Sequence, residues 1–436
     1  MSLNMRRTRL TALCACTSLA IYAAGLLTGC ANSSTTSGLE ASSAIAYPAP
    51  SALGNNGSTT EPTTKDNGQV NGQANPHADI ATELERRMMI GPAAARSIGW
   101  RPTWTLSFEV DGGIQRIWSN DSGVFVLDGR NELSLLSTDT GLRRWRTFIG
   151  EPGDIILDLF VSTEAQLVII LRSDALVTCN LATGFPEGPL DGVVPPVQRL
   201  EWLARTGGKL IGEDLIYGGL GGEVVWQSWS RGFSSRAHRV GRRLNVPPVI
   251  FDDTLIASAL GGQVVALQTA TGGLIWSRTL LDGLGAAPTR QDDRVYLAGL
   301  DQHLRCVSLE TGRAIWTVLL TAPLKTSPVV LGDSVYQLIP DEGLSAWETT
   351  PKDSPEGRQR WISNDVHGSV ISTLGDRLLT WNPRAGVLAT ASPMTGALDV
   401  SLQLEPGTRV QASDMDNGRL FVISATGRVE SLLPAR

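Results

Sequence analysis

Short apolar runs, each broken by a glycine- or aspartate-bearing turn, recur along the chain at a fixed interval, and one stretch shows the unit twice. Leu255 to Ser258 is followed by Gly261-Gly262, then by Val264 to Leu267, then by Thr271-Gly272 and Trp276. Forty residues on, Val295 to Ala298 is followed by Asp301-Gln302, then by Leu304 to Val307, then by Thr311-Gly312 and Trp316. Two strands, a tight turn, a Thr-Gly turn and a tryptophan four residues past the glycine make one unit. A fixed period near 40 with several strands per unit predicts propeller blades.

The turn glycine indexes the units. The preceding strand begins 17 residues before it in five of them: Val124 to Gly141, Leu167 to Gly184, Leu215 to Gly232, Leu255 to Gly272 and Val295 to Gly312. A sixth, Val335 to Gly357, is stretched by an insertion around Thr349-Pro355, and a seventh runs from Leu378 to Gly396. The third strand of each unit is apolar on both faces, as a sheet covered on both sides requires.

Leu420 to Ile423 opens an eighth unit, whose turn glycine falls at 437, one past the last residue. Trp104, in Thr103-Trp104-Thr105-Leu106, reads as the missing piece. The N-terminal strand is therefore expected to complete the last blade, closing the ring and removing exposed sheet edges. The expected fold is all-β, an eight-bladed propeller over residues 101–436. The repeat tryptophan appears as Trp104, Trp145, Trp276, Trp316 and Trp361. Its expected role is structural, with the ring between adjacent blades and its N–H on a backbone carbonyl. Blades 2, 3 and 7 carry Gly188, Arg236 and Val400 there and are expected to be less regular.

The N-terminal pattern is of another kind. Arg6, Arg7 and Arg9 precede a mostly apolar run from Leu10 to Leu27, and the segment ends Leu27-Thr28-Gly29-Cys30. Residues 1–29 read as a signal peptide, with Cys30 as a lipid-acceptor cysteine; an ordinary secretory signal or an uncleaved anchor is the alternative. The ending resembles a bacterial lipobox, and by resemblance to lipoprotein sorting in Gram-negative bacteria the Ala31 that follows implies an outer-membrane lipoprotein facing the periplasm, with inner-membrane or cell-surface anchoring as the alternatives. Residues 30–78 are rich in Ser, Thr, Asn, Gly and Pro and read as a disordered tether, because they bury too little apolar surface to offset chain entropy. Residues 79–100 read as a lead-in that is either irregular or a short helix over Asp79 to Arg96 interrupted at Gly91-Pro92.

Charge narrows the partners. The chain carries a net charge of −6, and without the leader it has 34 basic and 43 acidic residues, a net −9. Nucleic acid is not expected, since phosphate binding rests on surplus Lys and Arg. Cys179 and Cys306 are expected to be free, buried thiols. Asp292-Asp293 and Asp414 to Asn417 read as turn residues favoured by local hydrogen bonding, or as calcium ligands. No phosphate loop, zinc-spaced Cys/His set or nucleophile elbow is present, so no catalytic residue, metal or cofactor is nominated. The stretch Arg231 to Arg243 is the exception to the acidic balance: Arg236, Arg239, Arg242 and Arg243 form either a docking patch for an acidic partner or a solvated strand and loop. Trp226 and Trp229, just before it, are either core or an aromatic anchor.

The repeat Gly-x-x-x-Ala-Leu, Thr-Gly, Trp resembles the quinoprotein-type (PQQ-like) propeller repeat from Trp104 to Arg436. Lipobox, polar tether, N-terminal closure, eight units and the ending Arg419 to Leu432 together resemble the BamB family, the lipoprotein B subunits of the outer-membrane β-barrel assembly machine. The resemblance implies a non-enzymatic scaffold that docks on the barrel-inserting protein through apolar and arginine residues on loops of the middle blades. The comparable region here, Leu190 to Gly208, reads differently, with Pro195-Pro196 and Gln198 to Trp202. One alternative is a quinoprotein-type (PQQ-dependent) dehydrogenase or quinone binder, though the mature chain lacks the adjacent cysteines that resemblance implies. The other is an envelope propeller that binds another macromolecule.

Overall fold

Each unit of the sequence repeat becomes one four-stranded antiparallel sheet. In blade 4 the strands are Val249–Phe251, Thr254–Ser258, Gln263–Gln268 and Leu274–Thr279, paired in that order from the ring axis outward. The computed structural model describes residues 45–46, 88–108, 112–189, 193–351 and 354–435. The leader, Cys30 and most of the tether lie outside them.

The blades span 114–148, 156–199, 204–239, 249–279, 289–319, 329–363, 369–403 and 409–434. In the last, only three strands come from the C-terminus. The outermost strand is Trp100–Ser107, paired antiparallel with Arg428–Pro434 from Trp100↔Pro434 to Ser107↔Arg428. The N-terminal strand closes the ring. Ile45–Ala46 then adds a further short strand on its outer side, opposite Thr105 and Trp104.

The middle strands form the core. Val264, Val265, Ala266 and Leu267 are all buried, as are Leu255, Ile256, Ala257 and Ser258 across the hairpin. The positive φ of Asp252, Asp292 and Asn417 gives these residues a conformational role in the first hairpin turns of blades 4, 5 and 8.

The seams between blades follow one rule. The Trp276 ring lies against Gly312 of the next blade, and its Nε1–H donates to the Leu309 carbonyl at 2.7 Å. Gly312 has φ +65°, and a Cβ there would sit 2.6 Å from the Trp276 ring, so glycine meets both demands. Trp104, Trp145 and Trp361 donate in the same way to Thr138, Leu181 and Pro393, at 2.8, 2.9 and 3.0 Å. In each case the acceptor lies three residues before the turn glycine. Trp316 reaches Thr349 at a longer 3.4 Å, because the insertion in blade 6 separates that carbonyl from Gly357.

Blades 2, 3 and 7 lack the repeat tryptophan yet form four-stranded sheets, and each has a register shift between its first two strands, at Ile156/Asp158, Ala204/Gly208 and Val370/Ser372, that blades 4 to 6 lack. Blade 2 has an outermost strand of only three residues, Val197–Arg199, after a long loop. There Gln198 Nε2 donates to Trp229 at 2.9 Å, the carbonyl three before Gly232, and Val194 covers that glycine. In blade 3 the indole comes from the neighbouring strand: Trp226 donates to Thr269 at 2.8 Å, while Arg236 stacks on its ring and donates to Ala270.

The seam from blade 7 to blade 8 has neither device. The lead-in fills it. Gly91-Pro92 does not interrupt a helix; it begins one, Pro92–Ile98, with proline in the first turn, where its missing N–H costs nothing. Ile90, Ala95, Ile98 and Trp100 are buried in one cluster with Trp381 and Leu388 of blade 7 and Leu420 and Val422 of blade 8. Glu430, wholly buried in blade 8, accepts from the Met89 N–H at 2.6 Å and the Ile90 N–H at 3.3 Å. Its other oxygen has no partner, and burial pushes the carboxyl up to about 7 against the pull of those N–H groups and of Arg428.

Candidate functional site

Strand direction sorts the loops onto two faces. Each turn between second and third strands opens on the same face as the crossover from an outermost strand to the next blade. Over blades 2 to 5 these loops are tied in pairs. The Leu220 N–H donates to the Leu203 carbonyl at 2.7 Å, Leu260 to Arg243 at 2.8 Å and Leu300 to Gly283 at 2.9 Å. The Tyr217 hydroxyl, from the core of blade 3, donates to the Trp202 carbonyl at 2.6 Å. Two of the crossovers bury a leucine, Leu244 or Leu284, and the bridges Leu244↔Ala259 and Leu284↔Gly299 pin them down.

What remains outside is apolar with charges of both signs, Glu201 and Asp282 lying exposed on the crossovers from blade 2 to 3 and from blade 4 to 5. Trp202, Leu203, Leu220, Leu260 and Leu281 are exposed on this face, Leu281 to 85%. Arg242 and Arg243 lie exposed among them on the crossover from blade 3 to blade 4. Large apolar side chains held out to solvent on hydrogen-bonded loops, with cations between them, make a surface suited to protein docking.

The arginine patch therefore divides. Arg236 belongs to the seam, on Trp226. Arg239 pairs with the buried Glu223 carboxylate at 3.2 Å. Arg231 pairs with Glu213 at 3.4 Å at the opposite end of the strand. Only Arg242 and Arg243 join the apolar face. Trp226 and Trp229 are core residues, buried, with Trp229 donating to the Gly212 carbonyl at 3.0 Å. Leu203, Leu220, Leu260 and Leu281 are not legible as a group along the chain, because apolar residues in turns are read as strand ends until the turns are placed.

Among the described residues no cluster of three or more His, Cys, Asp or Glu is arranged to hold a metal ion. Cys179 and Cys306 are free and buried, in third strands of blades 2 and 5, and burial pushes both thiols up to about 12. Asp158, between blades 1 and 3, accepts from Trp118 at 3.1 Å and from the Gly208 N–H at 3.2 Å; burial raises its carboxyl, and these bonds oppose the rise.

Residues 216–350 match the family model described as outer membrane protein assembly factor BamB. The chain is a PQQ-like propeller that resembles BamB. The crystal structure of BamB from Moraxella catarrhalis superposes with a TM-score of 0.59 at 19% identity, covering 77% of this chain and 97% of that one. The computationally designed Ika8 protein superposes with a TM-score of 0.57 at 13% identity, covering 75% and 98%. At such identities the two structures share the fold alone. No curated protein sequence matches the chain. Among the described residues no helix is long and apolar enough to cross a membrane.

Proposed function

We propose that this protein is a non-enzymatic, lipid-anchored scaffold of the cell envelope, BamB-like, that docks on a protein of outer-membrane β-barrel assembly. The observation that carries the docking part is the face of blades 2 to 5, where Leu203, Leu220, Leu260 and Leu281 stand exposed on mutually bonded loops around Arg242 and Arg243. The match of residues 216–350 to the BamB family model supports the choice of partner. The lipobox ending at Cys30 supports the anchor, which holds the propeller near a membrane and raises its local concentration toward partners there. An apolar core of contacts with a charged rim is the usual make-up of such an interface.

The test is a gentle detergent pull-down of the tagged full chain, with partners identified by mass spectrometry. Wild type is expected to recover the barrel-inserting protein. Cys30→Ala is expected to recover less, and the pair Leu220→Glu with Leu281→Glu to recover none while keeping the wild-type melting temperature. Recovery unchanged by the paired variant overturns the docking face. Recovery of no barrel-assembly protein by wild type overturns the assembly reading.

A further inference from the structure

A cleft of about 390 Å³ opens between blades 4 and 5 and runs from Arg313 to Leu280, the neighbour of Leu281 on the leucine face. Its floor is apolar: Val264 of blade 4, Leu297 and Val307 of blade 5, and the Trp276 ring. Three guanidinium groups line it, from Arg278, Arg305 and Arg313. Their charges differ in availability. Arg305 is neutralised by Asp301 through two bonds of 2.9 and 2.6 Å. Among the described residues Arg278 donates only to carbonyls, of Gly312 at 2.9 Å, Thr311 at 2.8 Å and Ser277 at 3.0 Å, and has no counter-ion there. Arg313 is exposed and makes no ion pair among the described residues.

The strand beside the cleft is a bare sheet edge. Leu274–Thr279 is the outermost strand of blade 4, and among the described residues no chain pairs with its outer side. Leu274 and Ile275 stand exposed on it. Two other outermost strands do take extra chain. Ile45–Ala46 pairs with blade 8 at Thr105 and Trp104, and in blade 5 the Thr317 N–H donates to the Pro355 carbonyl of the blade 6 insertion at 2.9 Å. At blade 8 the rim thus already binds extended backbone by strand addition, a general recognition mode.

We propose that the cleft between blades 4 and 5, with the edge of Leu274–Thr279, binds an extended peptide segment that seats one large apolar side chain on Trp276 and Val307. A carboxylate next to that side chain lies on Arg278 and Arg313, whose uncompensated charges select acidic over basic segments. The cavity is of the size that receives a single aromatic side chain with its neighbours. The cleft borders the leucine face at Leu280, but its arginines and the strand edge lie outside that face, and neither reading requires the other.

The test uses the full chain and a fluorescein-labelled heptapeptide of alternating threonine and valine with a central phenylalanine followed by glutamate, followed by anisotropy. Saturable binding is expected. A peptide with serine for phenylalanine, or lysine for glutamate, is expected to bind at least about tenfold more weakly. Two protein variants at exposed positions probe the cleft: Arg313→Glu is expected to weaken binding about tenfold, and Ala314→Trp, which fills the cleft, to abolish it. Each stands alone if the other fails to fold. Absence of saturable binding overturns the proposal, as does binding that neither variant alters. Displacement of the peptide by octanoate at equal concentration also overturns it, since the cleft then takes an anionic amphiphile and the strand edge contributes nothing.

Discussion

Gln198 donates its side-chain N–H to the Trp229 carbonyl at 2.9 Å, the position that an indole N–H occupies at the tryptophan-sealed seams. The repeat conserves a hydrogen bond across the seam rather than a particular side chain. The glutamine supplies the donor without the ring, and Val194 supplies the missing apolar cover over Gly232. Gln198→Leu keeps the volume and removes the donor, leaving a buried carbonyl unpaired. It is expected to lower stability by about 1–2 kcal/mol. Urea unfolding followed by tryptophan fluorescence measures it, and a midpoint equal to that of wild type excludes a seam role for the bond.

The turn glycines separate two costs that usually come together. Gly312 and Gly332 both have positive φ, 65° and 58°, but a Cβ at Gly312 would press on the Trp276 ring at 2.6 Å, whereas Gly332 has nothing within 4 Å. Gly332→Ala is expected to cost only the backbone term, about 1 kcal/mol. Gly312→Ala adds displacement of a buried ring from its carbonyl and is expected to cost about 3 kcal/mol or more. Denaturant midpoints of the two variants give the comparison directly. Equal losses mean that the ring yields without penalty.

Much of this architecture was legible because the demands fall on few residues. A glycine that must take positive φ under an indole cannot be replaced freely, so Gly141, Gly272 and Gly312 marked the blades, and the strand count followed. The split eighth blade was legible because the C-terminal unit stops one residue short of its turn glycine while Trp104 supplies a spare strand. Gln198 was not legible, because the register of Val197–Arg199 is set after a long loop. Arg236 read as surface charge because the indole beneath it sits on the neighbouring strand, at Trp226, outside the spacing of the repeat. Burial of Glu430 was invisible too: in the chain it sits in the last strand's apolar pattern, and only the lead-in, far away in sequence, covers it.

The two thiols are expected to be unreactive in the folded ring. The thiolate is the nucleophile, and burial holds Cys179 and Cys306 at about 12, far above the pH of ordinary labelling. Iodoacetamide at pH 8 is expected to modify neither in the native protein and both in urea, read by intact mass with the leader removed. Rapid native modification of either one means that its blade opens on the labelling timescale.

Glu430 makes the lead-in sensitive to pH. Burial pushes its carboxyl up to about 7 in the folded protein, against about 4.5 for an exposed glutamate, so between these values the folded state holds a proton that the unfolded state has released. That contribution to stability is full below about pH 4.5, declines as pH rises and is gone above about pH 7, a span of up to about 3 kcal/mol. Above it, a charged and half-paired carboxylate remains under Met89 and Ile90. Glu430→Gln keeps an oxygen for those two N–H groups and never ionises. Its melting temperature relative to wild type is therefore expected to rise between pH 5 and pH 8. Amide exchange at Met89 and Ile90 adds a local reading: in wild type, protection is expected to fall over the same interval beyond the intrinsic rise in exchange rate, and in the variant to hold. A difference between the two proteins that does not change with pH removes Glu430 as the titrating group and leaves the seam held by its apolar contacts alone.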